Sequence, residues 1–186
     1  MLRSEHGYIR MTEEDDAVFF HALYAARTPR FALLDLKRES VMPTLFEISE
    51  TLASKEAAKS LFFTLEHPDG RVAGFMVLRG LIQESGYCEL APMMLEVEDL
   101  HTPLADWALG LMLERAFGVL RLRKVMAHAL STETRLIAFF ERHGFQHDGA
   151  QREAVFAQGR WADVLFFSLA AQDAAQPPAV EHATCP

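Results

Sequence analysis

One group of residues whose types bear on chemistry stands where a helix should begin, around His101-Thr102-Pro103. Thr102 has the side chain of an N-cap and Pro103 suits the first helical position, so the next backbone N–H groups lie at the positive end of a helix dipole, which favours an anion. His101 can add a positive charge beside them, against the plainer and preferred reading of an exposed loop histidine with no function. Glu96, Glu98 and Asp99 stand just before and oppose an anion, each by roughly 1 kcal/mol even under solvent screening. The remaining reactive side chains offer less. His143 and His147 are four apart, but Gly144 ends a helix between them and no third ligand is in reach, so no metal site is read. Cys88 and Cys185 are too few for a disulfide framework or a four-cysteine zinc site, and Cys88 reads as a small buried hydrophobe in an apolar strand. His128 reads as a packed or surface strand residue, and the pairs Phe139–Phe140 and Phe166–Phe167 as core and interface.

The elements that must position these groups follow from hydrophobic period and turn chemistry. Gly7 to Met11 predicts a strand, and Thr12 with Glu13, Glu14, Asp15 and Asp16 predicts the capped, acidic start of a helix running to about Arg27. Glu39 to Ala53 predicts a second helix, with Pro43 tolerable in its first turn. Leu61 to His67 and Arg71 to Leu78 flank Pro68-Asp69-Gly70 and predict a hairpin. Tyr87 to Leu95 predicts another strand, in which Pro92 cannot donate to a ladder and marks a bulge or a place where pairing stops. Pro103 to Val119 predicts a helix, Lys124 to Leu130 a strand, and Ser131 to His143 a helix closed by Gly144. Gln151 to Ala157 and Trp161 to Leu169 predict a final hairpin around Gln158-Gly159-Arg160. The expected fold is α/β of the α+β type, a mixed and mostly antiparallel sheet of about seven strands flanked by about four helices. It forms one domain over residues 1–170, with a disordered tail over 171–186.

Composition narrows the function classes. Of 186 residues, 50% are apolar and 24% charged, and mean hydropathy is +0.03, the balance of a globular protein. Acidic side chains number 26 against 18 basic ones, and the net charge of −8 argues against a nucleic-acid partner without a local basic patch, which is not evident. No apolar run has transmembrane length and the start MLRSEHGYIR lacks the features of a secretory signal, so the expectation is a cytoplasmic protein without a membrane partner.

The second half resembles, without a gap, the GNAT superfamily of acyl-CoA-dependent N-acyltransferases, and within it most closely the branch that acetylates ribosomal-protein N-termini and small amines. The resemblance is carried by Glu89, by Ala105, Ala108 and Phe117, by Glu141, Gly144 and Phe145, and by Gly149, Arg152, Gly159 and Asp163. It implies an acetyl-CoA-dependent N-acetyltransferase acting on an amine, a protein N-terminus or a small molecule. It also implies that a strand bulge splays two strands to admit the pantetheine arm. Backbone N–H groups near Met93, Met94 and Leu95 would then hold that arm, with His101, Thr102, Leu104 and Ala105 around the pyrophosphate. Glu89, on the strand facing the cleft, is the implied catalytic group, polarising the amine directly or through water, against the plainer reading of a carboxylate hydrogen-bonded at the sheet surface.

The sequence departs from the family's Arg/Gln-x-x-Gly-x-Gly/Ala loop, of which only the final Ala105 remains, and Pro103 deletes an N–H that would face a phosphate. Glu133 stands for the family's Asn, Leu136 for a Ser, and Phe140, which has no proton to give, for the tyrosine that often serves as general acid. These departures set an alternative beside the enzyme, a GNAT-fold binding or regulatory module that has lost CoA binding. An acyl-carrier-protein donor is a lesser variant of the enzyme. A homodimer through the final hairpin, anchored by Trp161 and Phe167, is a further expectation.

Overall fold

The computed structural model describes residues 1–25, 43–54, 60–157 and 159–174. Eight strands form one sheet in the order β1-β2-β3-β4-β5-β6-β8-β7. They are β1 (Leu2–Ser4), β2 (Gly7–Met11), β3 (Leu61–Glu66), β4 (Val72–Ile82), β5 (Tyr87–Met94), β6 (Lys124–Leu130), β7 (Gln146–Ala157) and β8 (Arg160–Ala170), with helices α1 (Ala17–Ala25), α2 (Leu45–Ala53), α3 (Pro103–Glu114) and α4 (Thr134–Arg142). Every neighbouring pair is antiparallel except β5 and β6, which α3 connects as a crossover. The strand beyond the expected seven is β1, folded back on β2 through the register Leu2↔Ile9.

Side chains alternate across the sheet and divide the core. Ile9, Leu65, Met76, Leu78, Cys88, Leu90 and Met94 pack against α3 and α4, whereas Phe75, Val77 and Met93 face Phe20 and Leu23 of α1 and Ile48 of α2. Phe75 and Phe20 stack with ring centroids 3.8 Å apart.

The first helix starts differently from its sequence signal. Thr12 is not the cap: its hydroxyl shares a 2.9 Å hydrogen bond with that of Thr64. A 3₁₀ turn, Glu14–Asp16, leads into α1, and Glu13 N–H donates to Asp16 Oδ2 at 2.9 Å. Asp16, 2% exposed, is drawn away from the solvent-facing acidic turn by Arg10 of β2, whose guanidinium grips it with bonds of 2.7 and 2.8 Å. At α2, Thr44 and Glu47 form a capping box, and Pro43 lies before the helix, not in its first turn. The expected stretch from Glu39 to Met42 lies outside the described residues.

The Pro68-Asp69-Gly70 turn forms as expected, closed by Gly70 N–H to His67 O at 2.9 Å, with Gly70 at φ +84°. β4 runs four residues past the expected Leu78 and β7 begins five before the expected Gln151, because bulges carry both beyond the breaks in their alternation. The helix expected over Ser131 to His143 is shorter, since Glu133 Oε2 accepts the Leu130 N–H at 2.8 Å and holds the residues before Thr134 as a loop. Phe167 is buried beside Phe140 and is not available as an anchor between copies, whereas Trp161 is 60% exposed with Phe156 edge-on to it. Residues 171–174 of the expected tail form a turn whose Ala174 packs on the main core, and 175–186 lie outside the described residues, as does Gln158. Among the described residues no helix is long and apolar enough to cross a membrane.

Candidate active site

The sheet parts at one place. β5 pairs with β6 over Tyr87↔Lys124, Cys88↔Val125 and Glu89↔Met126, and there the ladder ends while both strands continue, β5 to Met94 and β6 to Leu130. The β4–β5 register runs unbroken through Met76↔Pro92, so Pro92 makes no bulge. The second of its two sequence readings is the structural one. The alternation that directs the Leu95 N–H to Ala73 O, at 2.9 Å, turns residue 92 towards β6, where a proline has no N–H to extend the ladder. Leu95 N–H is thereby held by β4 and is not a donor to the gap. Met94 N–H faces it. The Met93 and Met94 side chains are both buried, on opposite faces of the sheet, and the same alternation turns the Met93 backbone to β4 opposite Phe75, so of the three residues expected at the arm Met94 alone presents its backbone to the gap.

At the root of the parting, three strands present three polar side chains in a row on the α1–α2 face. Arg79 of β4 lies opposite Glu89 of β5, and His128 stands one step beyond Met126 on β6. The Arg79 guanidinium donates to Glu89 Oε1, and His128 Nδ1 lies 3.0 Å from the same oxygen. The three side chains are 22%, 19% and 20% exposed, neither sealed in the core nor free in solvent. Burial alone would raise the pKa of Glu89, but its bonds from His128 and Arg79 outweigh burial and hold the carboxyl below the usual carboxylate range. Phe166 of β8 meets the His128 ring edge-on at 5.0 Å. Cys88, next in sequence, points to the opposite face, where burial and the Glu89 charge push its thiol up to about 12. It is a packing residue, as its sequence context indicates.

The second half of the site is the start of α3. Thr102 Oγ1 accepts from Ala105 N–H at 3.4 Å and donates to Asp99 O at 2.8 Å, so the cap forms as expected. The Leu100, Leu104 and Ala105 side chains are buried in the core, and since Pro103 has no N–H and Thr102 takes those of Ala105 and Asp106, the Leu104 N–H is the first-turn donor directed along the helix axis. The positive charge absent from the loop arrives from α4. Arg142 reaches His101 Nδ1 at 2.9 Å, Leu100 O at 3.4 Å and the Asp106 carboxylate, which also accepts from His143 Nε2 at 2.9 Å. Burial and the Arg142 charge lower the His143 pKa against the pull of Asp106. The acids that oppose an anion in the sequence have partners of their own, His67 at 3.4 Å for Asp99 and Arg135 at 3.7 Å for Glu98. A helix start with an arginine and a histidine beside it, next to a gap between strands, fits a molecule with an extended amide arm and an anionic end.

The three departures in the α4 region have structural occupations. Glu133 caps the β6–α4 loop, Leu136 is core, and Phe140 is fully buried against Phe145 and Phe167. Sequence reasoning placed Glu89 but missed its partners. Arg79 and His128 are recognisable only once the β4–β5 and β5–β6 registers are known, and Arg142 lies 41 residues from His101, with no local spacing to betray it. Among the described residues no group of His, Cys, Asp and Glu is arranged to hold a metal.

The sequence model of an acetyltransferase (GNAT) domain matches residues 9–166. No curated protein matches the chain in sequence. Among solved structures, the spermidine N-acetyltransferase of Vibrio cholerae in complex with CoA and spermine superposes with a TM-score of 0.74 at 18% identity, covering 91% of this chain and 98% of its own. A chimera built on that enzyme gives 0.73 at 19% identity, over 89% and 95%. A dodecameric structure of it in an intermediate state gives 0.70 at 18%, over 91% and 96%. At such identities the likeness is one of fold. The narrower resemblance to the ribosomal-protein branch finds no support, since the neighbours are polyamine acetyltransferases.

Proposed function

The chain belongs to the GNAT acetyltransferase family, and on that premise we propose that it moves the acetyl group of acetyl-CoA to a primary amine held beside Glu89 on the α1–α2 face. The family makes it an acyltransferase and acetyl-CoA its donor. The observation that carries the rest is the end of the β5–β6 ladder at Glu89↔Met126, which opens the sheet beside a half-buried ionised carboxylate. The pantetheine arm lies along β5 from Leu90 to Met94 and takes the hydrogen-bonding place that β6 vacates. The pyrophosphate lies at the start of α3, near the Leu104 N–H, His101 and Arg142. The CoA complex among the neighbours supports this course as an analogy of fold.

The net charge of −8 draws cations to the protein, and the neighbours are described as spermidine N-acetyltransferases, so polyamines are the first acceptors to try. Glu89 is the group on which removal of the amine proton depends.

Thermal unfolding with acetyl-CoA, CoA or 3′,5′-ADP tests the donor site, because a ligand of the native state at about a hundred times its Kd adds roughly 2.7 kcal/mol of stability. A raised midpoint with acetyl-CoA is expected. No shift with any of the three overturns the reading and leaves a module that has lost CoA binding.

A further inference from the structure

We propose that His128, oriented by Glu89, carries the proton of the acetyl transfer, so that Glu89 is a positioning residue and not itself the base. The inference rests on the acyl-transfer reading above and deepens it by naming the group that handles the proton.

The argument starts from the atoms at Glu89. Its Oε1 accepts from both the Arg79 guanidinium and His128 Nδ1. A carboxylate held this way is stabilised as an anion, and the same bonds that stabilise it make it a poor proton acceptor. An ionised carboxylate offers no hydrogen, so the hydrogen of the bond to His128 sits on Nδ1. With Nδ1 as the donor, the unprotonated nitrogen of the neutral form is Nε2, whose lone pair points away from Glu89 and which has no hydrogen-bond partner among the described residues. The position of the ring is fixed from two other sides, by β6 through its pairing with β8 and by Phe166 edge-on at 5.0 Å. Among the described residues the ionisable groups in bonded contact with it are Glu89 directly and Arg79 through Glu89, while its partner on β8 is the phenyl ring of Phe166.

Its place along the strand matters equally. Glu89↔Met126 is the last pair of the β5–β6 ladder, and His128 is the next residue of β6 on the same face. It therefore borders the opening in which a thioester and an amine would meet. Phe140, by contrast, is fully buried among Phe139, Phe145 and Phe167 and offers no proton. One group at the gap can serve both halves of the reaction. The amine nitrogen forms a bond to the acetyl carbonyl carbon and gives a proton to His128 Nε2. The carbon–sulfur bond then breaks, its electron pair leaves with sulfur, and the imidazolium returns the proton to the thiolate. The products are the acetamide and the CoA thiol, with no net change at His128.

Two measurements test this on the full chain. With ¹⁵N-labelled histidine, the His128 ring at neutral pH is expected as the Nδ1–H tautomer, reverting towards Nε2–H in Glu89→Ala; an Nε2–H ring in the wild type overturns the proposal. In turnover with acetyl-CoA and spermidine, or with water as acceptor where spermidine is not used, His128→Gln is expected to lower kcat about 100-fold with little change in KM for acetyl-CoA. The acid limb of the pH profile should vanish with it, and free imidazole should restore part of the rate in His128→Ala. A His128→Gln rate within about 3-fold of wild type, with its acid limb kept, overturns the proposal. A calorimetric titration separates the two claims: absence of acetyl-CoA binding counts against the acyl-transfer reading, whereas normal binding with indifference to His128 counts against this one alone.

Discussion

Replacing Asp16 by Asn should loosen α1 from the sheet by an amount that can be worked from its bonds. Asp16 is 2% exposed and accepts four hydrogen bonds, from Arg10 Nη1 at 2.7 Å, Arg10 Nη2 at 2.8 Å, Glu13 N–H at 2.9 Å and Thr64 Oγ1 at 3.0 Å. Three of these fall on Oδ2, so an Asn carbonyl placed there keeps them and turns its NH₂ against Arg10 Nη2. The charge of Arg10 loses its buried partner. Removing one member of a fully buried pair costs about 3–5 kcal/mol. Arg10 is 25% exposed and keeps Glu66 at 2.8 Å, so the cost here is lower, about 2–3 kcal/mol. For a chain of this size that is a fall in Tm of roughly 4–12 °C.

The pH dependence has a definite sign. Burial raises the Asp16 pKa, but the bonds from Arg10, Glu13 and Thr64 outweigh it and lower the folded-state value. Its stabilising contribution is therefore present above the unfolded carboxyl pKa, near about 4, and disappears as pH falls through the lower folded value. Urea unfolding of both proteins at pH 7 and in steps below pH 4 measures this. The gap should be full at pH 7 and close in acid. A gap under about 0.5 kcal/mol at pH 7, or one that stays constant into acid, would refute the reasoning.

Other consequences can be checked alongside it. Phe140→Tyr restores the residue type of the family, yet its hydroxyl would be buried among phenyl rings, so it should cost about 1–3 kcal/mol in urea unfolding and leave kcat unchanged; a raised kcat would contradict the placement of Phe140. Arg142→Ala should weaken acetyl-CoA binding about 5–10-fold in calorimetry, with a smaller effect at high salt, since it removes a half-exposed cation from the start of α3. Equal affinity in both proteins would mean that the pyrophosphate lies elsewhere. Gly74→Ala should destabilise by about 2 kcal/mol or more, because the residue has φ +155° and an added Cβ would stand 2.3 Å from Met93 O and 2.6 Å from Met94 Cα. Stability equal to wild type would show that the β4–β5 spacing at the gap is wider than described.

The sheet and its helices were largely legible because period and turn chemistry are local. The Pro68-Asp69-Gly70 hairpin, the Thr102 cap and the helix expected over Pro103 to Val119, α-helical to Glu114 and closed by a π turn over Arg115–Val119, needed no information from elsewhere in the chain. What the sequence concealed is long-range. Thr12 carries the signal of a cap, but Thr64, on β3, takes its hydroxyl, and Arg10 draws Asp16 inward. The α3 start reads as hostile to anions because Glu96, Glu98 and Asp99 are adjacent in sequence, while His67, Arg135 and Arg142, which offset them, come from β3–β4 and α4. Leu100 aligns with the family's arginine but points into the core, so an arginine restored there would be buried, whereas Arg142 already occupies the neighbourhood. Glu89 could be chosen from its strand position, but its character as an anion tied to Arg79 and His128 depends on two registers that no local pattern records.

The measurement closest to the central claim is release of CoA thiol from acetyl-CoA in the presence of spermidine and a panel of other primary amines, run on wild type and Glu89→Gln with mass analysis of the amine. Amine-dependent thiol release, an acetylated product heavier by one acetyl group, and a rate reduced at least about 10-fold in Glu89→Gln are the predicted result. Acetyl-CoA that binds but is not consumed with any amine, or turnover indifferent to Glu89, would contradict the account.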